Sequence, residues 1–142
     1  MARIWKDAID LAQLNKWSVN TMVEHIGIEF TQSGDDFLIA KMPVDHRTHQ
    51  PYGLLHGGAS VALAETMGSV ASALVVDNEA QMAVGIEINA NHIKSIRSGW
   101  VFGTVKPIKL GHTLHVWNIE IKDESGSLLC VSRLTCSILK KR

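Results

Sequence analysis

Between Gly57 and Leu74 the chain carries small or apolar residues at every position except Thr66, the serines and one acid, Glu65. A helix with this pattern on all its faces cannot lie on a surface and needs cover from every side. One sheet reaches one side of a cylinder. The pattern therefore calls for a sheet that wraps the helix and for a second subunit over the remainder. An unpaired carboxylate in such surroundings costs several kcal/mol. That cost is tolerated mostly where a carboxylate does chemistry, which makes Glu65 the first candidate.

The rest of the chain supplies the sheet. A short amphipathic helix is expected over 7–16, with Ile9, Leu11 and Leu14 apolar, and a further turn or two of helix over 18–25. Residues 26–31 read as a strand, the turn at 33–36 closes a hairpin, and 37–43 reads as its second strand. A polar loop from Pro43 to Leu55 leads into the apolar helix, expected over 58–76. Four strands follow, at 83–92, 100–109, 114–122 and 128–139, the last after the turn Glu124-Ser125-Gly126. Val116, Asn118 and Glu120 alternate with Trp117, Ile119 and Ile121, so one face of the sheet is wet and the sheet is antiparallel. The expectation is one α+β domain over 1–142, a long helix held in a curved antiparallel sheet.

Charge removes several classes of function. Lys plus Arg number 14 and Asp plus Glu number 14. This balance argues against nucleic acid and against an acidic membrane surface as partners. Residues 1–7 lack the apolar core of a secretory signal, and the apolar helix is rich in Gly and Ser for a membrane span. Cys130 and Cys136 fall in one predicted strand, roughly 20 Å apart, too far for a disulfide. A cytoplasmic protein with packed thiols is expected.

Leu54-Leu55-His56-Gly57-Gly58 runs directly into the helix. A helix start offers unpaired N–H groups and the positive end of the dipole. It suits a carbonyl oxygen that gains negative charge during acyl transfer. By pattern alone, the two glycines serve equally as a tight turn. Glu65 lies eight residues beyond Gly57, or roughly 12 Å along a helix. The two cannot reach one carbonyl within one chain. A shared site between two antiparallel helices in a homodimer would join them. Ser69 lies one turn beyond Glu65 on the same face. Gln50 and His56 flank the helix start, and His92 ends the polar run Asn89-Ala90-Asn91-His92. Each of these also has an ordinary structural use. Lys94, Arg97, Lys106, Lys109 and His112 would suit the phosphates of a nucleotide-bearing ligand, or are ordinary surface charge. His46 and His49 lack a further ligand, so no metal site is expected.

The run from Met42 to Ser60, carried on to Glu65, and the run Gly85-Ile86-Glu87-Ile88-Asn89-Ala90-Asn91-His92 resemble the hotdog-fold acyl-CoA thioesterases. Within them the nearest branch includes the 1,4-dihydroxy-2-naphthoyl-CoA thioesterases of menaquinone synthesis and the proofreading thioesterases of enterobactin synthesis. The resemblance covers nearly the whole chain. It implies Glu65 as nucleophile or general base, Gly57 as oxyanion amide with Gln50 and His56 beside it, and Ser69 and His92 as residues that position water or substrate. It implies coenzyme A contacts at Gly85, at His92, Ile93, Lys94 and Ser95, and at Lys109, Leu110, Gly111, His112, Thr113 and Leu114. Coenzyme A then belongs to the substrate and no cofactor is implied. The family's oligomers are dimers of dimers. Lys94 stands where the family often has Arg, which keeps the charge but loses the bidentate fork. Val70 matches the hydroxynaphthoyl-CoA branch. The expected activity is hydrolysis of an aromatic acyl-CoA. An aryl carrier protein as substrate, a non-hydrolytic acyl-CoA sensor and a hotdog dehydratase are the rivals. The last two lack, respectively, a DNA-binding appendage and a His–acid pair in this sequence.

Overall fold

A computed structural model describes residues 2–142. In chain order the elements are α1 (Leu11–Lys16), α2 (Met22–His25), β1 (Glu29–Ser33), β2 (Leu38–Val44), α3 (Gly57–Val75), β3 (Gln81–His92), β4 (Gly99–Leu110), β5 (Leu114–Asp123) and β6 (Leu128–Lys140). The six strands form one antiparallel sheet in the order β1-β2-β4-β5-β6-β3. This is the hotdog arrangement expected from the sequence, with α3 lying across β2 to β6.

The period of two in the strands builds the concave face. β5 buries His115, Trp117, Ile119 and Ile121 while Val116, Asn118 and Glu120 face outward. β2 buries Leu38, Ala40, Met42 and Val44 on the same face, and β6 buries Cys130, Ser132, Leu134, Cys136 and Ile138. Both cysteines are free, and burial pushes both thiols up. In β3 a bulge at Ile86 sets Gly85 and Ile86 against one residue, Cys136. An extra residue re-aims the strand, and Gly85, Ile88 and His92 then share the inner face.

As expected from the sequence, the helix is not covered on all sides within one chain. Ser60, Leu63, Ala64, Met67, Gly68, Ala71 and Ser72 form a buried stripe, whereas Val61, Ala62, Glu65, Thr66, Ser69 and Val70 are half-buried. The sheet reaches one side of the cylinder, and Glu65 stands at the edge of that reach. β3 is the last strand of the sheet on that side.

The N-terminal helices are shorter than expected. Asp10 accepts a hydrogen bond from the Gln13 amide at 3.2 Å and caps α1, so helix begins at Leu11. Ahead of it, Trp5 enters the core and stacks on Trp117 with ring centroids 6.3 Å apart, while residues 6–8 are exposed. The Lys6 amide donates to the Leu74 carbonyl at 2.9 Å. Residues 18–21 form turns, and α2 is a single helical turn. The first strand starts three residues later than its pattern suggests, at Glu29.

Candidate functional site

The loop before α3 is fastened on two sides. The Arg47 guanidinium meets Asp45 at 2.7 Å and holds that carboxyl down at about 2. Thr48 Oγ1 donates to the Pro43 carbonyl at 2.7 Å, and the His56 amide donates to the Thr48 carbonyl at 2.8 Å. Across the loop, the Leu55 amide donates to the Ile96 carbonyl at 2.9 Å, and His49 Nε2 lies 2.7 Å from the Arg97 carbonyl. Residues 45–56 are thus tied to residues 93–98 beyond β3, and a cavity opens between the two segments.

Two imidazoles explain the two glycines at the helix start. His56 caps α3, with Nδ1 accepting from the Gly58 amide at 2.7 Å. A Cβ on Gly58 would lie 2.9 Å from that ring. The bond makes Nδ1 the acceptor, so a neutral His56 carries its proton on Nε2. The His92 ring comes from β3 and lies over Gly57, where a Cβ would fall 2.9 Å from His92 Nε2. A larger residue at either position displaces a ring.

The cavity measures about 310 Å³ and is lined by Gln50, Leu54, Leu55, Gly57, Ser60, His92, Ile93, Lys94, Ser95 and Leu129. Gln50 is oriented by its own loop, its Oε1 accepting from the Tyr52 amide at 2.5 Å. The walls combine leucine and isoleucine with N–H donors at a helix start, which suits a thioester with an apolar acyl group. No carboxylate lines it. Glu65 sits farther along α3 against β3, where a Cβ on Gly85 would lie 3.0 Å from Glu65 Oε1.

Of the residues singled out from sequence, Gln50, Gly57, His92, Ile93, Lys94 and Ser95 line one cavity, and His56 adjoins it as the helix cap. Glu65 and Ser69 lie on the half-buried flank of α3, outside that lining. Gly85 meets Glu65 rather than the cavity. The run Lys109 to Leu114 lies at the opposite end of the sheet. Leu114 pairs with Ser137 and His92 with Cys130, a separation of roughly 20 Å along β6.

The five cations also do not converge in one chain. Lys94 reaches Asp123 at 3.8 Å, Lys106 sits over the Phe37 ring at 5.8 Å, and Arg97 donates to the Tyr52 carbonyl at 3.4 Å. Ser125 and Ser127 donate to Asp123 and hold its carboxyl below the usual range. Sequence reasoning did not single out Leu54, Leu55, Ser60 or Leu129 as lining. Ser60, 3% exposed, had a readable signal, since it lies one helical turn beyond Gly57 on the same face. Leu129 had none, because it reaches the cavity by pairing with the Ile93 amide. Among the described residues no group of three His, Cys, Asp or Glu side chains is placed to hold a metal ion.

Known proteins share this arrangement. Residues 52–130 match the family described as the thioesterase superfamily. The chain is 56% identical to the 1,4-dihydroxy-2-naphthoyl-CoA hydrolase of Escherichia coli, over 96% of this chain and 99% of that one. It is 52% identical to the proofreading thioesterase EntH of Cronobacter turicensis, over 96% and 98%. The crystal structure of a mutant thioesterase from Pseudomonas aeruginosa superposes with a TM-score of 0.96 at 46% identity, covering 97% of this chain and 99% of that one. Fold, motif and these likenesses agree: the chain belongs to the thioesterase superfamily, as a hotdog-fold thioester hydrolase.

Proposed function

We propose that the protein hydrolyses an aromatic acyl-CoA to the free acid and coenzyme A, in a site shared by two subunits. The observation that carries this reading is the split within one chain. The cavity at the start of α3 holds the donors and no acid, while the acid stands on a half-covered helix flank about 12 Å away. Two copies with their α3 helices antiparallel would bring Glu65 of one to Gly57 of the other.

In such a site the thioester oxygen accepts from the Gly57 amide at the positive end of α3. Gln50, His56 and His92 border the same opening. Along one route the Glu65 carboxylate attacks the carbonyl carbon, the C–S bond breaks, and the thiolate leaves and takes a proton. Water then opens the resulting anhydride and restores Glu65. Along the other route Glu65 takes a proton from water, the hydroxide attacks, and that proton goes to the departing sulfur. Ser69, one turn along from Glu65, is positioned to orient the carboxylate or the water. Ile93, Lys94 and Ser95 would follow the coenzyme A arm. The Lys109–Leu114 turn would serve the site of a different subunit, as in a dimer of dimers. This chemistry needs no cofactor, and the substrate is a small molecule in the cytoplasm. The relative named for naphthoyl-CoA supports an aromatic acyl group. An aryl carrier protein is the second carrier to test.

Thiol release measured over aromatic and aliphatic acyl-CoA substrates, and over an aroylated carrier protein, tests the substrate class. An aliphatic preference overturns the aromatic reading. Glu65→Gln should lower kcat by about a thousandfold or more, as expected when a nucleophile or base is removed, with the fold retained. Turnover close to that of the parent protein would remove Glu65 from the reaction.

A further inference from the structure

We propose that Ser72, Trp117 and His115 form a buried polar pin that sets where α3, and with it the Glu65 carboxylate, sits on the sheet. Ser72 is a positioning residue for the reaction. The inference rests on the reading of Glu65 given above.

The contact between α3 and the sheet is otherwise apolar and made of fitted notches. Leu134 enters the space left by Gly68 on the helix, where a Cβ would lie 2.4 Å from Leu134 Cδ2. Met67 enters the space left by Gly103 on β4, where a Cβ would lie 2.5 Å from its sulfur. Apolar packing of this kind favours closeness and is weakly directional. Directional bonds at the same interface come from Ser72, which is 0% exposed. Its Oγ accepts from Trp117 Nε1 at 2.6 Å and lies 2.9 Å from His115 Nδ1. The indole N–H has no other role than donor, so the hydroxyl oxygen is fixed by β5.

This cluster lies roughly 10 Å along α3 from the acid. Ser72 is two helical turns beyond Glu65 on one face of α3. Cys136 pairs with His115 on one side and with Gly85 on the other. Gly85 is the residue whose missing side chain leaves room for Glu65 Oε1. Helix and strand therefore converge on Glu65 from one fixed point. Trp117 is itself held, stacked on Trp5 at 6.3 Å and edge-on to His115 at 6.1 Å. Without the pin the apolar notches remain, but α3 can shift or turn on the sheet. A displacement of about 1 Å at a reacting group costs up to about a hundredfold in rate.

Ser72→Ala removes the contacts to both Trp117 and His115, and Trp117→Phe removes the first of them while leaving a smaller ring in the core. Steady-state kinetics on the substrate that is turned over best, thermal unfolding, and Glu65→Gln run alongside form the test. The expected result is a kcat lowered by about tenfold to a hundredfold in each variant, at temperatures where both are folded, with KM within about twofold. The double variant should lose less than the product of the two single losses, since both cut the Ser72–Trp117 bond. A lower melting temperature with an unchanged kcat overturns the pin and leaves Ser72 a structural residue. An inactive Glu65→Gln beside that result confines the failure to the pin. Activity surviving Glu65→Gln overturns both readings together.

Discussion

A methyl group on Gly85 would sit 3.0 Å from Glu65 Oε1, and so the smallest change available tests the placement of the acid. Gly85→Ala should push the carboxylate off its seat and lower kcat by about tenfold or more. The melting temperature should move little, because Gly85 is exposed and its neighbour is a side-chain tip. An alanine variant with unchanged kcat would mean that Glu65 works from another rotamer. At this scale the sequence was partly legible. Glu65 stood out because charge is rare in an apolar helix, and Gly57-Gly58 stood out as a pair. The reasons for the glycines were not legible, because His92 arrives from 35 residues away. Gly85 was read by resemblance as a coenzyme A contact, and in the fold it lies beside Glu65. Ser72 read as one more small residue, since nothing local distinguishes a hydroxyl that packs from one that bonds to Trp117.

Elements were legible where the period of two was clean. The strand over 114–122 was placed to within one residue, because Trp117, Ile119 and Ile121 alternate with polar neighbours. The N-terminal helices were expected to be longer than they are, since Asp10 caps a helix that starts only at Leu11. The junction between α3 and β5 makes a prediction of its own. Burial holds the His115 imidazole below its ordinary pKa of 6.5, so the folded state prefers it neutral. Above about pH 6.5 both folded and unfolded chains carry it neutral, and its stabilising effect is fully present. As pH falls below that value the unfolded chain takes up a proton that the folded chain resists. Stability then drops until the lowered folded pKa is passed. Thermal or denaturant unfolding from pH 8 to pH 5 should show parent protein losing more stability on acidification than His115→Gln, which can still bond to Ser72 but does not titrate. Parallel curves for the two proteins would mean that His115 titrates in the fold as it does in the unfolded chain.

Within the whole molecule one separation organises the rest: the cavity at the start of α3 and the Glu65 carboxylate lie apart in one chain. The sequence alone reached this conclusion through the rise of a helix, because eight residues separate Gly57 from Glu65 whatever the sheet does. It also expected the sheet to leave part of the helix for a second subunit; the structure adds that the half-open flank is the one that carries the acid. A shared site has an arithmetic consequence. Glu65→Ala spoils the acid in one copy, and Gly57→Val fills the cavity and displaces the His92 ring in the other. Each homodimer of such variants has two defective sites. A heterodimer has one site with both defects and one built from the sound half of each chain. After full subunit exchange about half the dimers are mixed, so the mixture should recover about a quarter of the parent turnover. Mass spectrometry on differently tagged copies confirms that exchange took place. If exchange is complete and turnover stays at the level of the separate variants, Gly57 and Glu65 do not act on one substrate across the dimer, and the split seen in a single chain has another cause.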